Sequence, residues 1–136
     1  MKGKEALFSL ENYSITECSF NLNGVSSMDK FGLEFNPVGF YNQDHATYEL
    51  QLEINIIFGE LKIINTKLYA IYRFKEQLEF DGIPDFFYSN CIAIVFPYIR
   101  AFISTVSLQA NIRPIIIPTL NIQPLGEVLK KNTRLK

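Results

Sequence analysis

The sequence predicts an α+β fold, a four-stranded antiparallel sheet with a long helix packed on one of its faces. Three observations carry that reading. Tyr48 to Ile56 alternates strictly between apolar and polar residues. After Phe80-Asp81-Gly82-Ile83-Pro84 the apolar spacing lengthens to that of a helix. Leu, Ile, Val and Phe supply 48 of the 136 residues, enough to close a core. A chain of this length fits one domain, residues 1–136, since domains cluster near about 100–150 residues.

The elements follow in order. Leu7 to Leu22 carries the β-formers Tyr13, Ile15, Cys18, Phe20 and Leu22 and ends at the turn pair Asn23-Gly24. Phe31, Leu33 and Phe35 alternate before Pro37 and Gly39 interrupt the pattern. In the central strand Tyr48, Leu50, Leu52, Ile54 and Ile56 face one way, and Glu49, Gln51, Glu53 and Asn55 the other. That is one dry face and one wet face, as antiparallel sheets commonly have. Phe58-Gly59-Glu60 offers a turn into Leu61 to Phe74, with Ile64, Leu68, Ala70, Tyr72 and Phe74 on one face.

Asp85 is the expected N-cap of a helix running from Phe86 to Gln109. Phe87, Cys91, Ile94, Val95, Tyr98, Phe102 and Val106 mark one apolar face of it, and Ile92, Phe96, Ile99 and Ile103 mark a second. A helix apolar on most sides must be covered on most sides. One sheet covers a single side, so the other is expected to meet another subunit. Pro97 removes one backbone bond and bends the helix there. Leu125, Val128 and Leu129 fit a short terminal helix.

With 13 basic and 14 acidic residues the net charge is −1, which gives no general electrostatic reason to bind nucleic acid or anionic membrane. The charge is unevenly spread: residues 1–43 carry −2, 44–85 carry −4, 86–129 carry +1 and 130–136 carry +4. The last seven residues read as a short, solvated basic tail. The longest uncharged apolar run, Cys91 to Phe96, is far short of the roughly 20 residues that span a bilayer. No secretory h-region is visible either, so a cytoplasmic address is expected.

Catalytic and cofactor chemistry finds little to work with. Cys18 and Cys91 could formally pair, but two reduced thiols are the simpler reading. One histidine and two scattered cysteines do not supply a conventional zinc set. No Gly-rich phosphate loop points to ATP or to another cofactor. His45 lies in a polar loop without a Ser or Cys partner, and Glu49 and Glu53 share the solvent face of a strand. No enzyme is expected.

One segment is more specific. Asn90 to Ser104, with Phe96-Pro97-Tyr98-Ile99-Arg100 inside it, is followed by Arg113-Pro114-Ile115-Ile116-Ile117-Pro118 and Asn121. This resembles the SecB family of protein-export chaperones, in which such a helix and Pro-rich stretch follow four antiparallel strands. The resemblance spans roughly residues 8 to 122, with Ile99 where a small residue is common. It implies a holdase that binds unfolded polypeptide clients in an apolar groove without ATP, and a homotetramer built as a dimer of dimers.

The residues the resemblance nominates fall into three groups. Phe31, Phe35, Phe40, Tyr41, Phe80, Phe86, Phe87 and Leu125 would line the client groove, as aromatic loops beside the helix entrance. Ile92, Phe96, Ile99, Phe102 and Ile103 would form the subunit interface. Glu49 and Glu53 mark the outer sheet face that docks the SecA motor in export chaperones, and Lys62 and Lys67 on the next strand are placed to neutralise them. Other members of the family serve toxin–antitoxin pairs, so SecA and an antitoxin are the two candidate partners. A small α+β ligand-binding or interaction module without chaperone activity is the alternative.

Overall fold

The alternation over 48–56 forms the middle of the central strand. In the computed structural model, residues 6–23, 25 and 30–136 are described, which leaves Gly24 of the first turn pair outside. Strands β1 (Phe8–Phe20), β2 (Gly32–Asn42), β3 (Thr47–Phe58) and β4 (Leu61–Phe74) are followed by a 3-10 turn at Phe80–Gly82. Helix α1 (Asp85–Gln109), helix α2 (Gln123–Lys131) and strand β5 (Thr133–Leu135) complete the chain.

The sheet has five strands in the order β1-β4-β3-β2-β5. The first four pair antiparallel, but β5 runs parallel to β2, with Gly39 opposite Thr133 and Tyr41 opposite Leu135. The expected four-stranded antiparallel sheet is therefore corrected to a five-stranded mixed one. The expected basic tail is corrected with it, because Lys130 and Lys131 close α2 and the next three residues form β5.

Strand β2 also runs straight through Pro37 and Gly39. The Gly39 N–H donates to Asn132 O (3.3 Å) and Tyr41 O accepts from the Lys136 N–H (2.7 Å), so odd-numbered residues of β2 turn their backbone away from β3. Pro37 shares that parity. Its missing N–H falls on the edge and costs the β2–β3 ladder nothing. Gly39 is needed for close approach: a Cβ there would sit 1.8 Å from the Tyr48 hydroxyl and 2.9 Å from the Thr133 hydroxyl.

The dry faces match the alternation. Tyr48, Leu50, Leu52, Ile54 and Ile56 of β3 are buried, as are Ile64, Leu68, Ala70, Tyr72 and Phe74 of β4. Helix α1 lies on them, and Phe87 plugs the centre, its ring 4.7 Å from each of Phe8, Tyr48 and Phe74. By length and composition α1 is apolar enough to cross a membrane, which counting uninterrupted apolar runs does not reveal. Here it is a core helix, with Phe87, Cys91, Ile92, Val95, Ile99 and Ile103 wholly buried. Its N-cap is Pro84 rather than Asp85, whose carboxylate instead accepts from Lys130 Nζ at 2.6 Å. Pro97 lies inside the helix.

Candidate functional site

Strand β2 is half used. On one side it pairs with β3 along its whole length, while on the other β5 reaches only Gly39 to Tyr41. Asn132 extends that contact by one residue, donating from Nδ2 to Pro37 O at 3.1 Å. Leu33 and Phe35 share the parity of Gly39 and turn their N–H and C=O toward the same edge. Among the described residues no backbone group pairs with them there. Their half-buried side chains point to the α1 side of the sheet, where the Phe35 ring lies 6.2 Å from Phe96. An unpaired strand edge thus borders an apolar floor.

Residues 110–122 run back along α1. Ser104 donates from Oγ to Ile115 O (2.7 Å), and the Ile115 N–H donates to Ser107 Oγ (2.8 Å). Ile115 and Ile117 are buried against the helix, while Ile116 between them is 64% exposed. At the end of this segment α2 packs onto α1 and β2. A Cβ on Gly126 would approach the Ser89 backbone N to 2.8 Å, so only glycine allows the two helices this close. Leu129 is fully buried there, Leu125 half-buried and Val128 exposed. Thr133 then locks β5 in place: its hydroxyl donates to Leu129 O and meets the buried Tyr48 hydroxyl, both at 2.7 Å.

Helix α1 keeps a second apolar surface. Phe86, Ile94, Tyr98 and Leu108 are 52%, 39%, 43% and 59% exposed, and intervals of eight, four and ten residues bring them to one side of the helix. Tyr98 stacks on Tyr13 of β1 at 4.4 Å, which extends the stripe onto the sheet edge. This corrects the expected interface. Ile92, Ile99 and Ile103 are fully buried and Phe96 nearly so, while Phe102 is half-buried. The sheet and residues 110–122 already cover that side within one chain.

The groove residues are corrected in part as well. Phe40 and Tyr41 lie within β2, not in a connection between strands, and neighbours in a strand face opposite ways. Phe40 sits on the outer face, opposite Glu49 and Arg134. Tyr41 is fully buried, its hydroxyl donating to Leu78 O at 2.6 Å. Phe87 is core. Phe31, Phe35, Phe80 and Leu125 are half-buried, and Phe86 belongs to the outward stripe.

The outer sheet face is charged but internally matched. Glu49 pairs with Lys136 (2.7 Å), Glu17 with Lys67 (3.2 Å) and Glu34 with Lys62 (3.8 Å), while Glu11 meets Arg73. Lys62 and Lys67 therefore pair with Glu34 and Glu17 instead of neutralising Glu49 and Glu53 by direct contact. Glu53 accepts from Asn65 Nδ2 and Asn36 Nδ2, both at 2.9 Å, and these bonds hold its carboxyl below the usual carboxylate range. Asn55 is on this face yet fully buried, donating to Glu34 and accepting from Asn65. Cys18 is exposed and Cys91 buried, both free, and burial pushes the Cys91 thiol up. Among the described residues no group of three or more His, Cys, Asp or Glu could hold a metal ion.

No family model matches the sequence. An uncharacterized protein of Methanocaldococcus jannaschii is 31% identical over 135 residues, spanning 90% of this chain and 86% of its own. The protein-export protein SecB of Magnetococcus marinus is 23% identical, spanning 91% and 85%. The SecB-like chaperone of Mycobacterium tuberculosis, solved in complex with a ChAD peptide from the HigA1 antitoxin, superposes with a TM-score of 0.65. It covers 84% of this chain and 88% of its own at 11% identity, which establishes a shared fold. The chain has the SecB-like fold and is similar in sequence to a SecB export protein.

Two features of this SecB-like chain escape residue-by-residue reading. The open edge of β2 is a property of backbone parity and of where β5 stops, and no side chain announces it. The outward stripe of α1 contains Ile94 and Tyr98, which sequence spacing grouped with Phe87 and Cys91 as one face. Their separation depends on which side residues 110–122 cover.

Proposed function

We propose that this SecB-like chain is an ATP-independent holdase of the cytoplasm, which binds extended, non-native polypeptide along the open edge of β2. The observation that carries this reading is the juxtaposition of the unpaired Leu33 and Phe35 backbone with the Phe35–Phe96 floor. An incoming strand completes the ladder with main-chain bonds that any sequence can make, while apolar pockets favour alternate apolar side chains. Phe31, one residue before β2, and the surface residues Ile116 and Leu125 are the further apolar contacts this reading assigns to the client. In the Mycobacterium tuberculosis relative the partner is itself a peptide, which supports a polypeptide client.

A labelled, reduced and unfolded protein titrated with the chain in the absence of nucleotide is expected to bind, while its native form is not. Ile116→Asp and Leu125→Asp are expected to weaken that binding by about ten-fold each, the scale of burying one aliphatic side chain. Their far-UV spectra should stay unchanged, since Ile116 is exposed and Leu125 lies at the surface of α2. Full binding by both variants would place the clients elsewhere.

Assembly follows from the outward stripe of α1, which is apolar and left uncovered by the described residues. We infer a homotetramer, a dimer of dimers, with these helices between the sheets. The outer sheet face, by contrast, offers no concentrated acidic dock, since Glu11, Glu17, Glu34 and Glu49 each pair with a cation. Steering between sparse exposed charges fades with salt. Supply of clients by a dedicated partner, such as an antitoxin, therefore fits this surface better than the SecA motor. A titration with SecA at about 0.15 M salt, near one Debye length of 8 Å, is expected to show no submicromolar complex. A submicromolar complex lost on Glu49→Lys would restore the export reading.

A further inference from the structure

We propose that the polypeptide segments this chain prefers are apolar stretches flanked by acidic residues, an inference that rests on client binding along β2. The two parts of the chain differ in charge. Residues 1–84, which include the four antiparallel strands, carry 12 acidic and 7 basic residues. Residues 85–136, which include α1, the returning segment, α2 and the sheet strand β5, carry six basic residues and two acidic ones, Asp85 and Glu127, of which Asp85 pairs with Lys130. The client edge ends at β5, within the basic part of the chain.

The positive charge is placed where the free edge ends. The last unpaired backbone groups of β2 belong to Phe35, and two residues on, Pro37 O is capped by the Asn132 side chain. Lys131 and Arg134 flank Asn132 and are exposed. Arg134 donates from its guanidinium to Lys131 O (2.9 Å) and Thr133 O (3.2 Å), which holds it beside the cap. Lys130 and Lys136 are engaged with Asp85 and Glu49, at 2.6 and 2.7 Å. Among the described residues no ion pair is formed by Lys131, by Arg134 or by Glu127 one turn earlier on α2. Arg100, one helical turn beyond Phe96, adds a half-buried cation alongside the floor.

A segment seated on Leu33 to Phe35 therefore runs into β5 and must leave the sheet beside Lys131 and Arg134. Carboxylates at that point gain Coulomb energy without being desolvated, and ammonium groups are repelled. Such exposed pairs are individually weak and screened by salt, so they tune preference while the apolar core supplies affinity.

The test uses the full chain and three synthetic peptides that share one alternating apolar core and carry paired Asp, Ser or Lys flanks. At low salt the Asp-flanked peptide is expected to bind about ten-fold more tightly than the Lys-flanked one, with Ser between them. At about 0.5 M salt the spread should largely close, since the Debye length falls to about 4 Å. The double variant Lys131→Glu, Arg134→Glu is expected to abolish or invert the order and leave the affinity for the Ser-flanked peptide unchanged. Equal or tighter binding of the Lys-flanked peptide, or an order that survives the double reversal, overturns the proposal. If none of the three peptides binds, the holdase reading fails and this preference with it. The Ser-flanked peptide separates the two failures.

Discussion

Replacing Phe87 with alanine is expected to remove about 3–5 kcal/mol of folding stability. Its ring is wholly buried and lies 4.7 Å from Phe8, Tyr48 and Phe74, 6.0 Å from Tyr72 and 5.7 Å from Tyr88. One side chain thus joins β1, β3 and β4 to α1. Truncation forfeits the transfer energy of the ring, the edge-to-face contacts and the filling of a site whose neighbours are themselves rigid aromatics. Chemical denaturation at fixed chain concentration should show a lower midpoint with a similar slope. Phe86 is the internal control. It precedes Phe87 by one residue but is 52% exposed, so Phe86→Ala should cost within about 1 kcal/mol when assembly is unchanged. Equal losses for the two variants would contradict the placement of α1 on the sheet.

Ile94→Asp is expected to dissociate the assembly while leaving each chain folded. Ile94 is 39% exposed at the middle of the outward stripe, between Phe86 and Leu108 and beside Tyr98. A single chain can solvate an aspartate there. A packed interface cannot, because an unpaired charge in a dry contact costs several kcal/mol per ion. In a symmetric assembly the same substitution recurs in every copy, so the penalty multiplies. Light scattering should give about four times the 15.7 kDa chain for the parent and a smaller species for the variant, with unchanged far-UV dichroism. Ile92→Asp should instead unfold the chain, since Ile92 is sealed within it. A monomeric parent at micromolar concentration, or a variant of undiminished mass, would sink this assembly.

What the sequence discloses follows physical locality. Strict alternation of period two placed the inward residues of β3 and β4, because one face of each strand is dry and the other largely wet. The change of spacing after Pro84 placed α1 to within a residue, and Leu125 and Leu129 placed α2. The remainder depends on long-range geometry. Pro37 and Gly39 look like strand breakers until it is known that one faces an open edge and the other receives the Tyr48 hydroxyl. Strand β5 is only three residues long and is fixed by a hydroxyl pair between Thr133 and Tyr48, 85 positions apart. Nothing local marks it. Of the residues nominated for the groove, Phe35 lies on the edge strand β2 and Leu125 on α2, but Phe40 falls on the far face because strand neighbours diverge. Phe87 and Tyr41 are core because aromatic residues bury as readily as they bind.

The most direct test of the account is suppression of aggregation without nucleotide. Several unrelated unfolded proteins, diluted from denaturant into buffer with and without the chain, are followed by light scattering. The account predicts suppression of all of them at or below one tetramer per client, with no effect of added ATP and a clear loss for Ile116→Asp. Absence of suppression, suppression confined to a single client, or a requirement for ATP would contradict it.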